Sequence, residues 1–249
     1  MAERRTHFPT GALFWLASSR SLQVLTLSAP PALPRLLASS GHQVFATDRD
    51  PAVIRSLTAS GTIVGVAAQP ESLPFEPCRF DRVMAHQNFH TFAPGLALSE
   101  IARVLRPGGA ATVTYLVRDD SVPWVRRLAH LVRQVDPDAM GGDYGTESVE
   151  ALLESKYFPQ HDTKTFRVWQ PVTSQSLVAM VGAIPGVATQ DAEIQRALLD
   201  DVAALYADAS TRPDGMSLPY ELRCWRAWVD HQELTAPITN DTTGLVIPI

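Results

Sequence analysis

From Leu22 to about residue 170 the chain alternates short apolar runs of strand length with stretches of helical periodicity. Strands separated by helices cannot close as tight hairpins. They lie parallel, with each helix crossing back over a face of the sheet. This alternation assigns most of the 249 residues to an α/β architecture. At that length one sizeable core is favoured over two small ones.

The pattern predicts strands at Leu22–Leu27, Gln43–Thr47, Thr62–Ala67, Phe80–Ala85 and Ala111–Val117, and further strands at Thr163–Gln170 and Tyr220–Val229. A helix over Leu33–Ser39 stops at Gly41, a good C-terminal signal. Asp50 reads as an N-cap with Pro51 at the first helical position, opening a helix that runs to Ser60 before Gly61. Leu98, Ile101 and Leu105 recur at helical spacing, which predicts a helix over 96–105 ended by Pro107, Gly108 and Gly109. From Ser121 a further helix carries Trp124, Val125, Leu128, Leu131, Val132 and Val135 on one face. Its other face holds Arg126, Arg127, His130 and Arg133, either a solvated surface or a basic rim for an anionic substrate. Helices also fit 146–155, 174–182 and 190–208. The organisation predicted is one domain over 1–234, with an N-terminal helical segment at 1–20 and a helical insertion or lid at 171–216. A Thr- and Pro-rich tail at 235–249 reads as mobile. The apolar stretch 177–188 reads as core packing, with a lid over an apolar acceptor or a homodimer surface as the functional alternatives.

Composition narrows the partners. With 21 Lys plus Arg against 26 Asp plus Glu, and no basic block, the net charge of −5 argues against nucleic acid. Cys78 and Cys224 form neither a metal-ligand spacing nor a disulfide framework, which fits a reducing compartment. The apolar run Ala12–Ala17 is too short for a signal peptide. Residues 168–190 carry no charge, but Pro171, Gly182, Pro185 and Gly186 break them, so no membrane span is expected. A cytoplasmic protein is the expectation.

In an open parallel sheet, ligands bind beyond the carboxyl ends of the strands. Asp48 ends the second strand, where a carboxylate can accept two hydrogen bonds from a ribose diol; capping beside Asp50 is its structural alternative. His86 and His90, in H-Q-N-F-H, can take a proton near neutral pH or can serve loop packing. Four residues apart, they would share one face of a helix and could hold a metal. The stretch reads instead as a strand end entering a loop, and it lacks a metalloprotease glutamate, so no metal site is expected.

Several segments together resemble class I S-adenosylmethionine (SAM) dependent methyltransferases. They are V-L-T-L-S-A-P-P-A at 24–32, V-F-A-T-D-R-D-P at 44–51, E-S-L-P-F at 71–75, F-D-R-V at 80–83, F-H-T-F at 89–92 and I-A-R-V-L-R-P-G-G at 101–109. They stand in the family's order and spacing, and the best match is the methyltransferase-11 type of small-molecule enzymes. L-P-Y-E-L-R-C-W-R-A at 218–227 is similar to the terminal strand of a bacterial subset. The resemblance implies a Rossmann-like fold: a seven-stranded, mostly parallel sheet with the last strand antiparallel and helices on both faces. It also implies SAM as cofactor and a small-molecule acceptor. By the same resemblance, Ser28, Ala29, Pro30, Asp48, Arg49, Gln69, Pro70, Glu71 and His86 fall at cofactor-binding positions. Asp48 would take the ribose and Gln69 the adenine amino group, with Leu73, Pro74 and Phe75 beside the adenine. His86 to His90 would face the methionine and acceptor end, and His86 and His90 are the candidate catalytic residues.

The first motif departs from the family. Ser28, Pro30 and Ala32 stand at three alternate positions where glycine is common, and Thr26 where an acid is frequent. Proline fixes φ near about −65° and removes an N–H, so Pro30 and Pro31 delete two donors that could hold the methionine carboxylate. At about 1 kcal/mol per lost hydrogen bond, with crowding added, a loss of about tenfold to several-hundredfold in SAM affinity follows. Two readings follow from this. One is a methyltransferase with weakened cofactor binding. The other is a methyltransferase-like fold that does not bind SAM and serves as a ligand- or protein-binding module.

Overall fold

The structure, a computed structural model, describes residues 8–141, 145–210 and 216–235. The predicted tail at 235–249 lies outside them except for the backbone of Thr235, as do residues 211–215 of the predicted insertion. The elements run α1 (Thr10–Ala17), β1 (Gln23–Leu27), α2 (Ala32–Ser39), β2 (Gln43–Asp48), α3 (Pro51–Thr58) and β3 (Ile63–Ala67). Next come β4 (Phe80–His86), α4 (Pro94–Val104), β5 (Leu105–Arg118), α5 (Pro123–Val135), α6 (Glu150–Leu153) and β6 (Gln160–Val172). The chain closes with α7 (Ser174–Gly182), α8 (Pro185–Ala188), α9 (Ala192–Ala209), β7 (Met216–Trp228) and α10 (Gln232–Thr235).

The strands form one seven-stranded sheet of order β3-β2-β1-β4-β5-β7-β6. β1 is parallel to β2 on one side and to β4 on the other, and β7 runs antiparallel between β5 and β6. Four of the five β1 residues are buried, as a central parallel strand covered on both faces requires. Its alternating side chains enter two cores. Leu25 and Leu27 join Phe80, Ile101 and Tyr115 beneath α4 and α6. Val24 joins Leu16, Leu33 and Leu57 beneath α1, α2 and α3. A third cluster, built on Leu128, Leu177, Val187 and Val202, packs α5 against α7, α8 and α9. No helix among the described residues is long and apolar enough to cross a membrane.

Local signals place the first helices where the sequence predicts them. The Asp50 carboxylate accepts from the Ala52 amide at 2.7 Å with Pro51 at the first helical position, although α3 stops at Thr58, short of Ser60. Other boundaries differ. Leu105 belongs to β5 rather than to the preceding helix, because it is buried and paired with Phe80. The next pairing is Arg82 with Ala110, so Arg106–Gly109 bulge out of the ladder within β5 instead of preceding it. β6 and β7 are both longer than predicted, since thirteen residues of each pair along their full length. Much of β6 is exposed on both faces, so it carries no apolar alternation for a sequence to display. The helix at 146–155 resolves into a 3-10 turn, Thr146–Val149, followed by the short α6, and α8 had no counterpart in the prediction.

α3 lies close against the edge strand β3. A Cβ on Gly65 would stand 2.7 Å from Thr58 Cγ2 and 2.8 Å from Ile54 Cγ2. Gly65→Val therefore forces the helix away, and we expect about 1–3 kcal/mol of destabilisation in urea unfolding. An unchanged midpoint would show that α3 shifts freely on this edge.

Candidate functional site

The sheet's switch point lies between β1 and β4, because connections from β1 and β4 leave toward opposite edges of the sheet. A crevice beyond the carboxyl ends of these strands is the ligand position of such a sheet. At the end of β1, Ser28 holds a left-handed backbone with φ +45°, the conformation for which glycine is usually chosen. It is braced from two directions. Its amide donates to the Thr47 carbonyl of β2 at 2.7 Å. From the segment after β4, the Asn88 amide nitrogen donates to the carbonyls of Leu27 at 2.7 Å and Ser28 at 2.8 Å. Ala29 is buried and Pro30 exposed, while Pro31 is the residue that opens α2. Thr26, inside β1, is buried and donates to the Phe45 carbonyl at 3.3 Å.

The Asn88 clamp leaves its own Oδ1 buried with no hydrogen-bond partner among the described residues, and Thr47 Oγ1 is in the same condition. A buried acceptor without a donor costs about 1–3 kcal/mol, which an entering donor recovers. The left-handed turn and the orphaned amide oxygen thus sit together at the carboxyl end of β1.

Asp48 stands half-buried at the end of β2, and its Oδ1 accepts from the Asp50 amide at 2.8 Å. Asp50 itself caps α3, so Asp48 braces the cap rather than being it. A carboxylate held in this way can still accept from a vicinal diol. Arg49 is exposed. Gln69 is exposed too, its carbonyl taking the Ser72 amide at 3.1 Å, while Pro70 is buried. Glu71 turns toward α4 and accepts from the Ala93 amide at 2.8 Å. The loop beyond is tied to α4 as well. Glu100 accepts from the Leu73 amide at 2.8 Å, and Arg103 donates to the carbonyls of Leu73 and Phe75, each at 2.8 Å. Leu73 and Phe75 are buried in the core under α4, whereas Pro74 is exposed.

The two histidines occupy different environments. His86, the last residue of β4, is 3% exposed, lies 2.8 Å from Thr114 Oγ1 through Nδ1, and has the Phe8 ring 5.1 Å away. Burial pushes its pKa down to about 4. His90 lies half-buried in the 3-10 turn Phe89–Thr91. Its backbone N–H donates to the Tyr115 hydroxyl at 3.0 Å, and its Nδ1 stands 3.1 Å from the same oxygen. That hydroxyl lies 3.2 Å from Ser148 Oγ.

Asn88, Tyr115 and Ser148 were not singled out in the sequence. Asn88 stands inside H-Q-N-F-H, and Tyr115 alternates with Val113 and Val117 as any core residue of β5 would. Only their partners, 25 to 61 residues away in sequence, distinguish them. The basic face of α5 also finds a partner within the chain. Arg126, Arg127 and His130 line a cleft of about 870 Å³ whose far wall carries Asp201 and Asp208 of α9, and Arg127 reaches Asp208 at 3.1 Å.

A seven-stranded sheet of this order, with β7 antiparallel and its crevice beyond β1, β2 and β4, defines the class I methyltransferase fold. Residues 31–113 match the family model described as a methyltransferase domain, of the methyltransferase-11 type. An uncharacterized methyltransferase of Mycobacterium tuberculosis is 29% identical over 227 residues, covering 90% of each chain. An uncharacterized methyltransferase-like protein of Schizosaccharomyces pombe is 30% identical over 142 residues, covering 54% of this chain and 56% of the relative. Among solved structures, a protein of Anaeromyxobacter dehalogenans provisionally described as a type II methyltransferase superposes with a TM-score of 0.65 at 19% identity, covering 89% of this chain and 96% of that one. The chain is thus similar to these methyltransferases along most of its length, and to the methyltransferase-11 type of domain over residues 31–113.

The depressed pKa of His86 makes stability depend on pH. Folded His86 takes up its proton near pH 4, below the ordinary value of 6.5 that applies in the unfolded chain. Between those values the unfolded chain binds more protons, so stability falls as pH drops from 6.5 toward 4 and is level above that window. The full contribution is on the order of 3 kcal/mol. His86→Asn should lose less stability between pH 7.5 and pH 5 than the natural protein does in urea titrations. An equal loss in both would assign the dependence to other groups.

Proposed function

We propose that this protein transfers a methyl group from SAM to a small-molecule acceptor at the crevice beyond β1, β2 and β4. The observation that carries the reading is the turn at Ser28. The glycine-type backbone persists without a glycine, it is clamped by Asn88, and the clamp leaves an acceptor oxygen waiting for a donor. An ammonium group, such as that of the methionine portion of SAM, is a donor of the right kind for Asn88 Oδ1. Asp48 would hold the ribose hydroxyls, and the exposed Gln69 carries an amide oxygen able to accept from an adenine amino group. Bound SAM supplies a sulfonium methyl, which the acceptor's heavy atom takes as the carbon–sulfur bond breaks and S-adenosylhomocysteine is left.

The chain's own part is orientation and proton removal. Of the two histidines, His90 suits the base. His86 is sealed between Thr114 and Phe8 and, with a pKa near 4, is too weak a base to draw a proton from a neutral acceptor. Pro30 and Pro31 still withhold two backbone donors, and this favours the second reading, a retained fold without SAM binding.

Calorimetric titration with S-adenosylhomocysteine separates the two readings. A dissociation constant in the micromolar range supports the methyltransferase reading. No heat and no thermal shift at millimolar ligand would overturn it in favour of a binding module. Where binding is seen, Asp48→Ala should weaken it at least tenfold, and unchanged affinity would remove Asp48 from the ribose. Replacing Pro30 and Pro31 together by glycine should tighten binding about tenfold, since two donors return at about 1 kcal/mol each and are partly offset by the added flexibility.

A further inference from the structure

We propose that Tyr115 is a positioning residue that holds His90 in the tautomer with its proton on Nδ1, placing the ring's lone pair on Nε2. The inference deepens the proposed function, because its chemical meaning rests on His90 being the base.

One chain of contacts fixes where each proton lies. Ser148 Oγ lies 2.6 Å from the Gly145 carbonyl, which can only accept, so the single hydroxyl proton of Ser148 is committed there. The Tyr115 hydroxyl is 3.2 Å from Ser148 Oγ. With the serine proton already placed, this contact is a hydrogen bond only if Tyr115 donates it. Tyr115 then has no proton left for His90, yet its oxygen lies 3.0 Å from the His90 backbone N–H and 3.1 Å from His90 Nδ1. The backbone N–H donates by necessity, and Nδ1 completes the set only by carrying a proton of its own. The reverse assignment, Tyr115 donating to Nδ1, would set two oxygen lone pairs against each other between Tyr115 and Ser148. In a neutral imidazole, a proton on Nδ1 leaves Nε2 as the acceptor nitrogen.

The packing holds this chain of contacts in place. Tyr115 is 1% exposed and belongs to β5, which pairs on both sides with β4 and β7, so its hydroxyl has a set position. Gly145 has φ +87°, and a Cβ there would stand 2.6 Å from His90 Nδ1 and 2.8 Å from Tyr115 Cε1. The turn that presents the Gly145 carbonyl and Ser148 therefore rests directly on the His90 and Tyr115 rings, with no room for a side chain between them.

The tautomer is read without cofactor, acceptor or turnover. The full-length protein, labelled with ¹⁵N in its histidine rings, is examined by long-range ¹H–¹⁵N correlation at pH 8, and His90→Gln identifies the His90 signals. A pyrrole-type Nδ1 and a pyridine-type Nε2 are expected in the natural protein. Ser148→Ala frees the Tyr115 proton to turn to Nδ1 and should move His90 toward the Nε2–H form. Tyr115→Phe, which keeps the ring and removes the oxygen, should abolish the Nδ1–H preference. A pyridine-type Nδ1 in the natural protein, or spectra unchanged in both variants, would overturn the proposal. If Tyr115→Phe does not fold, Ser148→Ala alone decides. S-adenosylhomocysteine calorimetry on the same samples keeps the two ideas apart. Absent binding with the expected tautomer rejects the methyltransferase reading only, and binding with the opposite tautomer rejects this inference only.

Discussion

The parallel pairing of β1 with β4, Val24 to Leu27 against Arg82 to Ala85, is the constraint on which the remaining structure depends. It places two strands that are distant in sequence side by side and brings their carboxyl ends to one rim. β2 joins β1 on the other side, so the ends of three strands and the segments that follow them meet at a single crevice. Both faces of these strands are covered, which makes the register costly to shift: a slip of one residue would turn Leu25 and Leu27 out of one core and into the other. The rim is therefore held by the rigid part of the fold, and the site residues are attached to it by short tethers.

The tether at Ser28 bears most directly on function. Glycine adopts a left-handed turn without cost, whereas a serine there needs compensation from its surroundings. Here the compensation is the Thr47 carbonyl on one side and the Asn88 amide on the other. The left-handed turn at Ser28 is thus held by a side chain recruited from the neighbouring strand end. The prolines that follow act differently, since neither Pro30 nor Pro31 has a backbone N–H to donate.

His86 and His90 show how four residues of sequence can separate two chemistries. The first ends a central strand, where burial removes its charge and Thr114 occupies one nitrogen. The second lies one turn further on, half-buried and attached to a phenol hydroxyl at the edge of the core. Burial inside the sheet's hydrophobic sandwich lowers the proton affinity of the first, while the second stands at the rim beside Tyr115. Further from the crevice, the basic face of α5 faces carboxylates of α9 across a cleft, where Arg127 pairs with Asp208.

The sequence by itself determined the features written in local code. Asp50 with Pro51 announces a helix start because cap and first turn act within a few residues, and the alternation of apolar runs with helical stripes dictates a parallel α/β sheet. Asp48 and His90 were legible as site candidates because strand ends at the rim can be counted along the chain, and Gln69 only through the family resemblance. Tertiary structure alone decided which strands pair along their full length, that Arg106–Gly109 bulge within β5, that Asn88 clamps the end of β1, and that Tyr115 links His90 to Ser148. The physical reason is the same in each case. A hydrogen bond between residues tens of positions apart leaves no periodicity or spacing in the chain, and it exists only once the sheet has brought its two ends within three ångströms or so of each other.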